Sequence, residues 1–395
     1  MKILLINSVC GIGSTGRICT DIYQALEKEG HKCTIAYSRG NPKGFDTIKI
    51  GNKWDVRFHA LRSRITDRQG FYSKQATKKF VKVIKERQFD IIHLHNIHGY
   101  YLNLKILFEA LKNLEAKVVW TFHDCWPFTG HCPHFEFVGC NKWLEKCYKC
   151  PQKSRYPKSI FLDNSTRNYL EKKRLFTSLT NITIITPSKW LEGLVRKSFF
   201  KEYPIYTINN GINLDIFKKR NSDLRIKEKL GDKFIVLGVT GVWDERKGLN
   251  VFIELSKLLD ESYKIILVGL TEQQKKHLPN NIIGIIRTEN IERLAEIYSA
   301  SDVFLNPTFE DTFPTTNLEA LACGTPVVTF NSGGSPEIIN SQCGMIVDVK
   351  NAETLKEILE NLKNSNFETE LCIQKSKNYG IISMVNNYLA IYREL

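Results

Sequence analysis

Short, unbroken apolar runs recur along this chain, each followed by a stretch of helical spacing, and the series starts twice. Lys2–Val9 is the first run and ends in a glycine-rich turn. Arg17–Glu29 then sets Ile18, Ile22 and Leu26 on one helical face, with Gly30 placed to stop it. Lys32–Tyr37, Asp90–His95, Ala116–His123 and Thr183–Pro187 read as further buried strands. Helical patterns lie at Ala76–Arg87, Leu102–Leu114 and Ser188–Phe199. After the turn signal Asn209-Asn210-Gly211 the pattern restarts, with strands at Phe234–Thr240, Lys264–Val268, Ile282–Ile286, Val303–Asn306 and Pro326–Phe330. Between them, helices are expected at Leu249–Leu259, Ile291–Ala300 and Asn317–Cys323. Strands apolar on both faces that alternate with helices form a parallel, doubly wound sheet. Two such series predict two α/β domains, at 1–205 and 206–377, with 378–395 a C-terminal helix returning to the first. Ligands of these sheets bind beyond the carboxyl ends of the strands, so the expected site is a cleft between two facing sheets.

The length, 395 residues, suits two cores better than one. No apolar run approaches the ~20 residues of a membrane span. The N-terminus is too short and too quickly polar for a signal peptide, so a cytoplasmic protein is expected. The net charge of +14 is unevenly placed: up to Pro204, 35 Lys and Arg face 17 Asp and Glu, whereas the remainder is mildly acidic. A half this basic suits an anionic partner such as lipid headgroups, a phosphorylated substrate or nucleic acid. Within it, Arg57–Arg87 interleaves basic residues with Phe58, Leu61, Ile65, Phe71, Tyr72, Phe80, Val81 and Ile84. That stretch reads either as an amphipathic surface resting on anionic lipid or as a helix pair packed on the sheet with a solvated basic face.

Eleven cysteines in a cytosolic chain argue against a disulfide framework. Six are scattered singly, and five lie between Cys125 and Cys150 in an insertion. Cys147-x2-Cys150 is a half-site for tetrahedral zinc; Cys132 and Cys140 complete a four-thiolate set, with His131 or His134 as stand-ins. A structural zinc there would staple an insertion with little core of its own, the alternative being reduced, unliganded thiols. Gly11-Ile12-Gly13-Ser14-Thr15-Gly16 fits the dinucleotide fingerprint, but the second strand ends Ala36-Tyr37-Ser38-Arg39 without the acid that holds a ribose. A nicotinamide cofactor is therefore not expected.

The most informative segment is FEDTFPTTNLEALACGTPVVTFNSGGSPE, Phe309 to Glu337. Asp311 falls in the loop after a strand, and Glu319 lies one turn into the next helix, where its carboxylate can accept hydrogen bonds from vicinal ribose hydroxyls. The helix N-terminus suits a diphosphate, and Gly333-Gly334 lets the backbone approach a ligand.

This segment resembles the Glu-x7-Glu and Glu-Ala-x-Ala-x-Gly-x-Pro-Val signature of retaining glycosyltransferases of family four, and the resemblance runs from the first glycine loop to Glu337. It implies the GT-B fold, two facing Rossmann-like domains, and similarity to bacterial enzymes of capsular, colanic-acid-like or other exopolysaccharide assembly. By that resemblance Glu319 holds the ribose and Asp311 contacts the donor sugar. Asp311 is shorter than the family's Glu, and Glu310 beside it is a candidate substitute. Lys247 matches the Lys that neutralises the donor diphosphate; Arg246 stands in for an Arg that the family carries near Gly241, where this chain has Val242 and Trp243. The glycine loop, Gly13 included, faces donor phosphates or acceptor, and His123 in Trp120-Thr121-Phe122-His123-Asp124 approaches the donor sugar. His93 and His95 share one strand, so one of them can simply face the core. The implied reaction is retaining transfer from a nucleotide-diphosphate sugar to a saccharide or polyprenyl-diphosphate-linked acceptor, with no cofactor required for catalysis. The implied place is the cytoplasmic face of the plasma membrane, against an anionic surface. Two alternatives are a nucleotide-sugar epimerase of the same fold and a zinc-containing nucleic-acid-binding protein. The first lacks a convincing base, and the second lacks a finger pattern and a basic second domain; no nucleic-acid partner is expected.

Overall fold

The computed structural model describes residues 1–364 and 367–395, and the chain divides into two units, Met1–Asn209 with Met384–Leu395, and Asn210–Ser383. The first unit contains β1 (Lys2–Ile6), β2 (Val9–Cys10), β3 (Lys32–Tyr37), β4 (Arg39–Gly40), β5 (Thr47–Lys49), β6 (Ile91–Leu94), β7 (Lys117–Thr121), β8 (Ile182–Thr186) and β9 (Ile205–Thr207). The second contains β10 (Phe234–Val239), β11 (Tyr263–Val268), β12 (Ile282–Ile285), β13 (Val303–Asn306), β14 (Val327–Phe330) and β15 (Gly344–Val347). Seven strands order as β5-β3-β1-β6-β7-β8-β9 and six as β12-β11-β10-β13-β14-β15, with β2 and β4 forming a separate ribbon. Neighbouring strands run parallel in both large sheets. Each order is that of a Rossmann-like sheet, in which the chain builds outward from its first strand, then crosses back and builds the other way.

Burial explains the strand pattern. Ile3–Ile6 and Ile91–Leu94 are buried residue after residue, because helices cover both faces of a parallel sheet. In the first unit Trp120, Phe108, Phe176 and Phe200 meet edge-on or tilted beside the sheet. The helix Ile381–Glu394 sends Met384, Val385, Tyr388, Leu389 and Tyr392 into buried positions, and the Tyr388 hydroxyl lies 3.0 Å from Thr121 Oγ1. Among the described residues no helix is long and apolar enough to cross a membrane.

Several elements differ from the sequence pattern. The first apolar run breaks after Ile6, and Val9–Cys10 departs to pair with Arg39–Gly40. The following helix is Gly13–Lys28, earlier than the apolar periodicity indicates, because Gly16 tolerates crowding: a Cβ there would lie 3.1 Å from Val9 Cγ2. Strands β5, β9 and β15 carry only three or four residues and no long apolar run, so hydropathy does not reveal them. The helix Lys53–Thr66 is signalled by its capping box rather than by an inward apolar stripe: Asn52 Oδ1 accepts from the amides of Trp54 and Asp55, and Asp55 accepts from Asn52 N–H at 2.9 Å.

Candidate functional site

In both sheets the strand order reverses beside the first strand, so the loops leaving β1 and β6, and those leaving β10 and β13, diverge and open a crevice at the carboxyl edge. In the second unit those two loops carry the expected basic and acidic residues. Trp243 anchors the first loop by donating Nε1–H to the carbonyl of Val268 at 2.9 Å, and Asp244 Oδ1 accepts the Lys247 amide at 2.9 Å. Gly248, at φ +78°, lies against the second loop, where a Cβ would stand 2.4 Å from the Pro307 carbonyl oxygen. The Phe309 amide donates to the carbonyl of Arg246 at 2.9 Å. Locked together in this way, the loops pair their charges. Lys247 Nζ forms an ion pair with the Asp311 carboxylate, and Arg246 Nε lies 3.6 Å from Glu310 Oε1. Glu310 is wholly buried under Arg246, whereas Asp311 keeps partial contact with solvent.

Three more segments converge there. Gly334 N–H donates to the Asp311 carbonyl at 2.9 Å, and Gly333 has φ +56°, with the site of a Cβ only 1.9 Å from that oxygen. No other residue fits at Gly333 without moving the Asp311 loop. The helix Thr315–Ala322 starts after Pro314 with no side-chain cap, so its first amides present the positive end of the helix dipole. Glu319 points inward from this helix, buried, and Tyr298 donates its hydroxyl to Glu319 Oε2 at 3.1 Å. Asn306 Nδ2 donates to Asn317 Oδ1 at 2.7 Å, yet Asn317 Nδ2 and the hydroxyls of Ser332 and Ser335 are buried without a protein partner. An orphaned buried polar group costs about 1–3 kcal/mol, so three beside one glycine turn mark a place that a polar ligand completes.

The strand ends of the first unit are built differently. His95 Nδ1 and His123 Nε2 are 2.9 Å apart with nearly parallel rings, which join the ends of β6 and β7. His93 faces the core between Thr121 Oγ1 at 2.8 Å and the Tyr392 hydroxyl at 2.6 Å. Burial pushes His93 down to about 3 and His123 to about 4, and drives His95 well below its ordinary value, so the cluster is uncharged at neutral pH. Beside it His98 Nε2 meets Asp124 Oδ2 at 2.9 Å and His98 Nδ1 meets the Tyr156 hydroxyl at 2.9 Å. Burial opposes charge on Asp124, but His98 outweighs it and holds the carboxyl below its usual range. Gly13, at φ +65°, opens the helix of the glycine loop with empty space where a side chain would begin.

The cysteine insertion is held mainly by polar anchors. Asp67 receives His131 at 2.5 Å and the Asn164 amide at 2.8 Å, and buried Lys172 donates to the Trp126 carbonyl at 2.5 Å while lying 3.8 Å over the Trp126 ring. Cys147 Sγ accepts the Gly130 amide at 3.1 Å, and Cys132 is hydrogen-bonded to Cys150. Among the described residues no three His, Cys, Asp or Glu side chains are gathered as a metal-holding group. This differs from the expected zinc set of Cys132, Cys140, Cys147 and Cys150: two of the thiols bond each other and a third serves a backbone amide.

The sequence reading named Glu319, Asp311, Glu310, Lys247, Arg246, Gly333 and Gly334, and the structure brings all seven into one crevice of the second unit. His123 and Gly13 lie at strand ends of the first unit. Tyr298, Tyr156, Ser332 and Ser335 went unnoticed. The two serines flank the Gly-Gly pair and were within reach of the sequence, whereas the tyrosines join these sites only through the fold.

Comparison with known proteins agrees with this geometry. The family model described as Glycosyltransferase Family 4 matches residues 15–216, and that described as Glycosyl transferases group 1 matches residues 220–379. A protein of Escherichia coli K12 assigned to colanic acid biosynthesis, the glycosyl transferase WcaC, is 23% identical, covering 100% of both chains. The capsular polysaccharide biosynthesis glycosyltransferase CapM of Staphylococcus aureus is 25% identical over 50% of this chain and 55% of its own. The crystal structure of Anabaena HepE with UDP-glucose superposes with a TM-score of 0.70 at 15% identity, covering 100% of both chains. The fold is thus the GT-B fold expected from the sequence, two Rossmann-like domains in one chain.

Proposed function

From the premise that the chain belongs to Glycosyltransferase Family 4, its C-terminal half being of the group 1 kind, we propose that it moves a sugar from a nucleotide diphosphate to a saccharide acceptor, with retention of anomeric configuration. The observation that carries the reading is the Lys247–Asp311 ion pair spanning the crevice between β10 and β13, beside the orphaned hydroxyls of Ser332 and Ser335. A diphosphate leaving group gains negative charge as the glycosidic bond breaks, and a fixed cation at that point stabilises the transition state more than the ground state. Lys247 supplies it by sharing its ammonium between Asp311 and a phosphate oxygen. The amides of Gly334 and of the first turn of Thr315–Ala322, together with Ser332 and Ser335, donate to the remaining oxygens. Glu319, oriented by Tyr298, accepts the ribose hydroxyls. Asp311 contacts the donor sugar in preference to Glu310, which is buried under Arg246. His123 is neutral and offers the sugar a hydrogen bond without a charge. The departing phosphate takes the acceptor proton on the same face, so no protein carboxylate acts as nucleophile.

HepE was crystallised with UDP-glucose, and WcaC and CapM are assigned to colanic acid and capsule assembly. These relatives support a UDP-sugar donor and a lipid-linked saccharide acceptor in surface polysaccharide biosynthesis. A thermal-shift screen against UDP-, GDP-, ADP- and dTDP-sugars tests the donor, because only a ligand of the folded state raises the midpoint. Proton NMR of the first product then reads the anomeric configuration. No shift with any nucleotide sugar sinks the assignment, and an inverted product sinks the retaining mechanism.

A further inference from the structure

Two neighbouring basic helices of the first unit, Lys53–Thr66 and Lys74–Arg87, dispose of their apolar residues in opposite directions. The second turns Ala76, Phe80 and Ile84 into the core and leaves its lysines in water. The first buries His59 and Ser63 instead, His59 bonding Ser73 at 2.8 Å and the Gly70 amide at 3.2 Å. Its large apolar residues face out: Trp54 is 63%, Phe58 60%, Leu61 54% and Ile65 43% exposed. At 3.6 residues per turn these four fall within an arc of about 60° directly opposite the buried face. Arg57 and Arg64 flank the arc on one side and Arg62 on the other, and none of the three makes an ion pair among the described residues. The segment Ile160–Leu162 extends the patch. Its backbone is stitched to the helix by the Ile160 amide on the Arg64 carbonyl at 2.7 Å and the Leu162 amide on Ile65 at 3.3 Å. Ile160, Phe161 and Leu162 are all exposed as well, giving seven contiguous apolar side chains where isolated ones would be ordinary. A cavity of about 800 Å³ opens along the helix, lined by Phe58, Arg62, Tyr72, Lys74 and Leu162 among others.

We propose that this face docks on an anionic lipid bilayer. The helix lies in the plane of the interface, its Trp54–Phe58–Leu61–Ile65 stripe and Phe161 enter the acyl boundary, and Arg57, Arg62, Arg64 and Lys74 meet lipid phosphates. The charge selects this occupant. An apolar stripe bordered on both sides by arginines without acidic partners repels a second copy of itself, whereas a layer of lipid phosphates complements it. The proposal deepens the reading of a lipid-linked acceptor and rests on it only for its purpose, since docking is measured without donor or acceptor.

The test is flotation of the purified full chain with vesicles of phosphatidylcholine alone or with added phosphatidylglycerol. Expected are co-flotation with the anionic vesicles only, weakening with salt, and loss of that binding in Phe58→Asp/Leu61→Asp. Replacing Arg57, Arg62 and Arg64 by Gln lowers the partition on the order of 100-fold. All of these positions are exposed, so unchanged thermal midpoints accompany both variants. Absent flotation, equal partition into both vesicles, or unaltered binding in the Asp pair each overturns the proposal. So does a concentration-dependent dimer that Phe58→Asp/Leu61→Asp dissolves in a chain that ignores vesicles. A nucleotide-sugar thermal shift that survives any of these outcomes leaves the donor reading standing.

Discussion

The two sheets share a topology and arm their strand ends with opposite chemistry. The first unit is strongly basic overall, yet its strand ends hold a buried histidine cluster that carries no charge at neutral pH. The second unit is mildly acidic overall, yet its strand ends concentrate Arg246 and Lys247 against Glu310 and Asp311. Net charge of a unit therefore says nothing about the polarity of its crevice. A fixed cation belongs where a diphosphate departs, and neutral hydrogen-bonding groups belong where an uncharged sugar is handled. The basic surplus of the first unit sits elsewhere, in part on the outward helix Lys53–Thr66.

The sharpest way to break this contrast is to discharge the second crevice. Lys247→Ala removes the cation nearest the breaking bond and leaves Asp311 without its partner, so kcat/KM for transfer should fall about 10²–10³-fold. Near-normal turnover in a steady-state assay with the preferred nucleotide sugar removes the ion pair from the mechanism. Glu319→Gln keeps shape and burial but weakens acceptance of the ribose hydroxyls, and a charged hydrogen bond is worth about 1.5–3 kcal/mol. Donor affinity by calorimetry should therefore drop roughly 10–100-fold, while transfer at saturating donor changes less. An unaltered Kd means that Glu319 serves Tyr298 alone.

Gly333→Ala attacks the same crevice through the backbone. The added methyl meets the Asp311 carbonyl, and a left-handed φ costs a non-glycine residue about 1–3 kcal/mol. A fall in thermal midpoint together with weaker nucleotide binding is expected; a lower midpoint with full affinity would show that the turn moves independently of Asp311. The opposite crevice is best challenged with acid. Folded-state values near 3 for His93 and His59 and near 4 for His123 lie below the ~6.5 of an unfolded histidine. The unfolded chain then binds more protons, so stability declines as pH falls below about 6.5, by about 1.4 kcal/mol per unit for each such histidine. Urea midpoints across pH 7 to about 4.5 check this, and a flat profile contradicts the neutral cluster.

The legibility of the two crevices differed for a physical reason. Residues 309–337 are contiguous in sequence, so Asp311, Glu319 and the glycine pair announce their site through spacing alone. Lys247 lies some sixty residues away, and its tie to Asp311 follows only from β10 and β13 being neighbours at the reversal of strand order. The first crevice draws His95, His123, His98, Asp124 and Tyr156 from separate loops, which no spacing rule collects. Strong strands such as Ile91–Leu94 and Tyr263–Val268 were evident from hydropathy. The helix Lys53–Thr66 escaped because its apolar residues face outward, so the usual inward periodicity is missing. The thiols of the insertion showed the limit of spacing from another side. Cys147-x2-Cys150 fits a metal half-site in sequence, but Gly130 and Cys132 occupy its sulfurs in the fold.

The smallest expected effect tests whether the C-terminal helix supports the neutral crevice. His93 Nδ1 is held by the Tyr392 hydroxyl at 2.6 Å, and Thr121 Oγ1 lies between His93 Nε2 and the Tyr388 hydroxyl. Tyr392→Phe keeps the ring and its packing but strands a fully buried ring nitrogen, at a cost of about 1–3 kcal/mol. Tyr388→Phe leaves Thr121 still bonded to His93, so the loss there should be about 0.5–1.5 kcal/mol. The order of the two variants in thermal unfolding, with donor affinity unchanged in both, distinguishes a chain of hydrogen bonds running from Tyr392 through His93 to Thr121 from simple ring packing. Equal losses mean that the helix is held by its aromatic surfaces and that the histidine cluster would stay neutral without it.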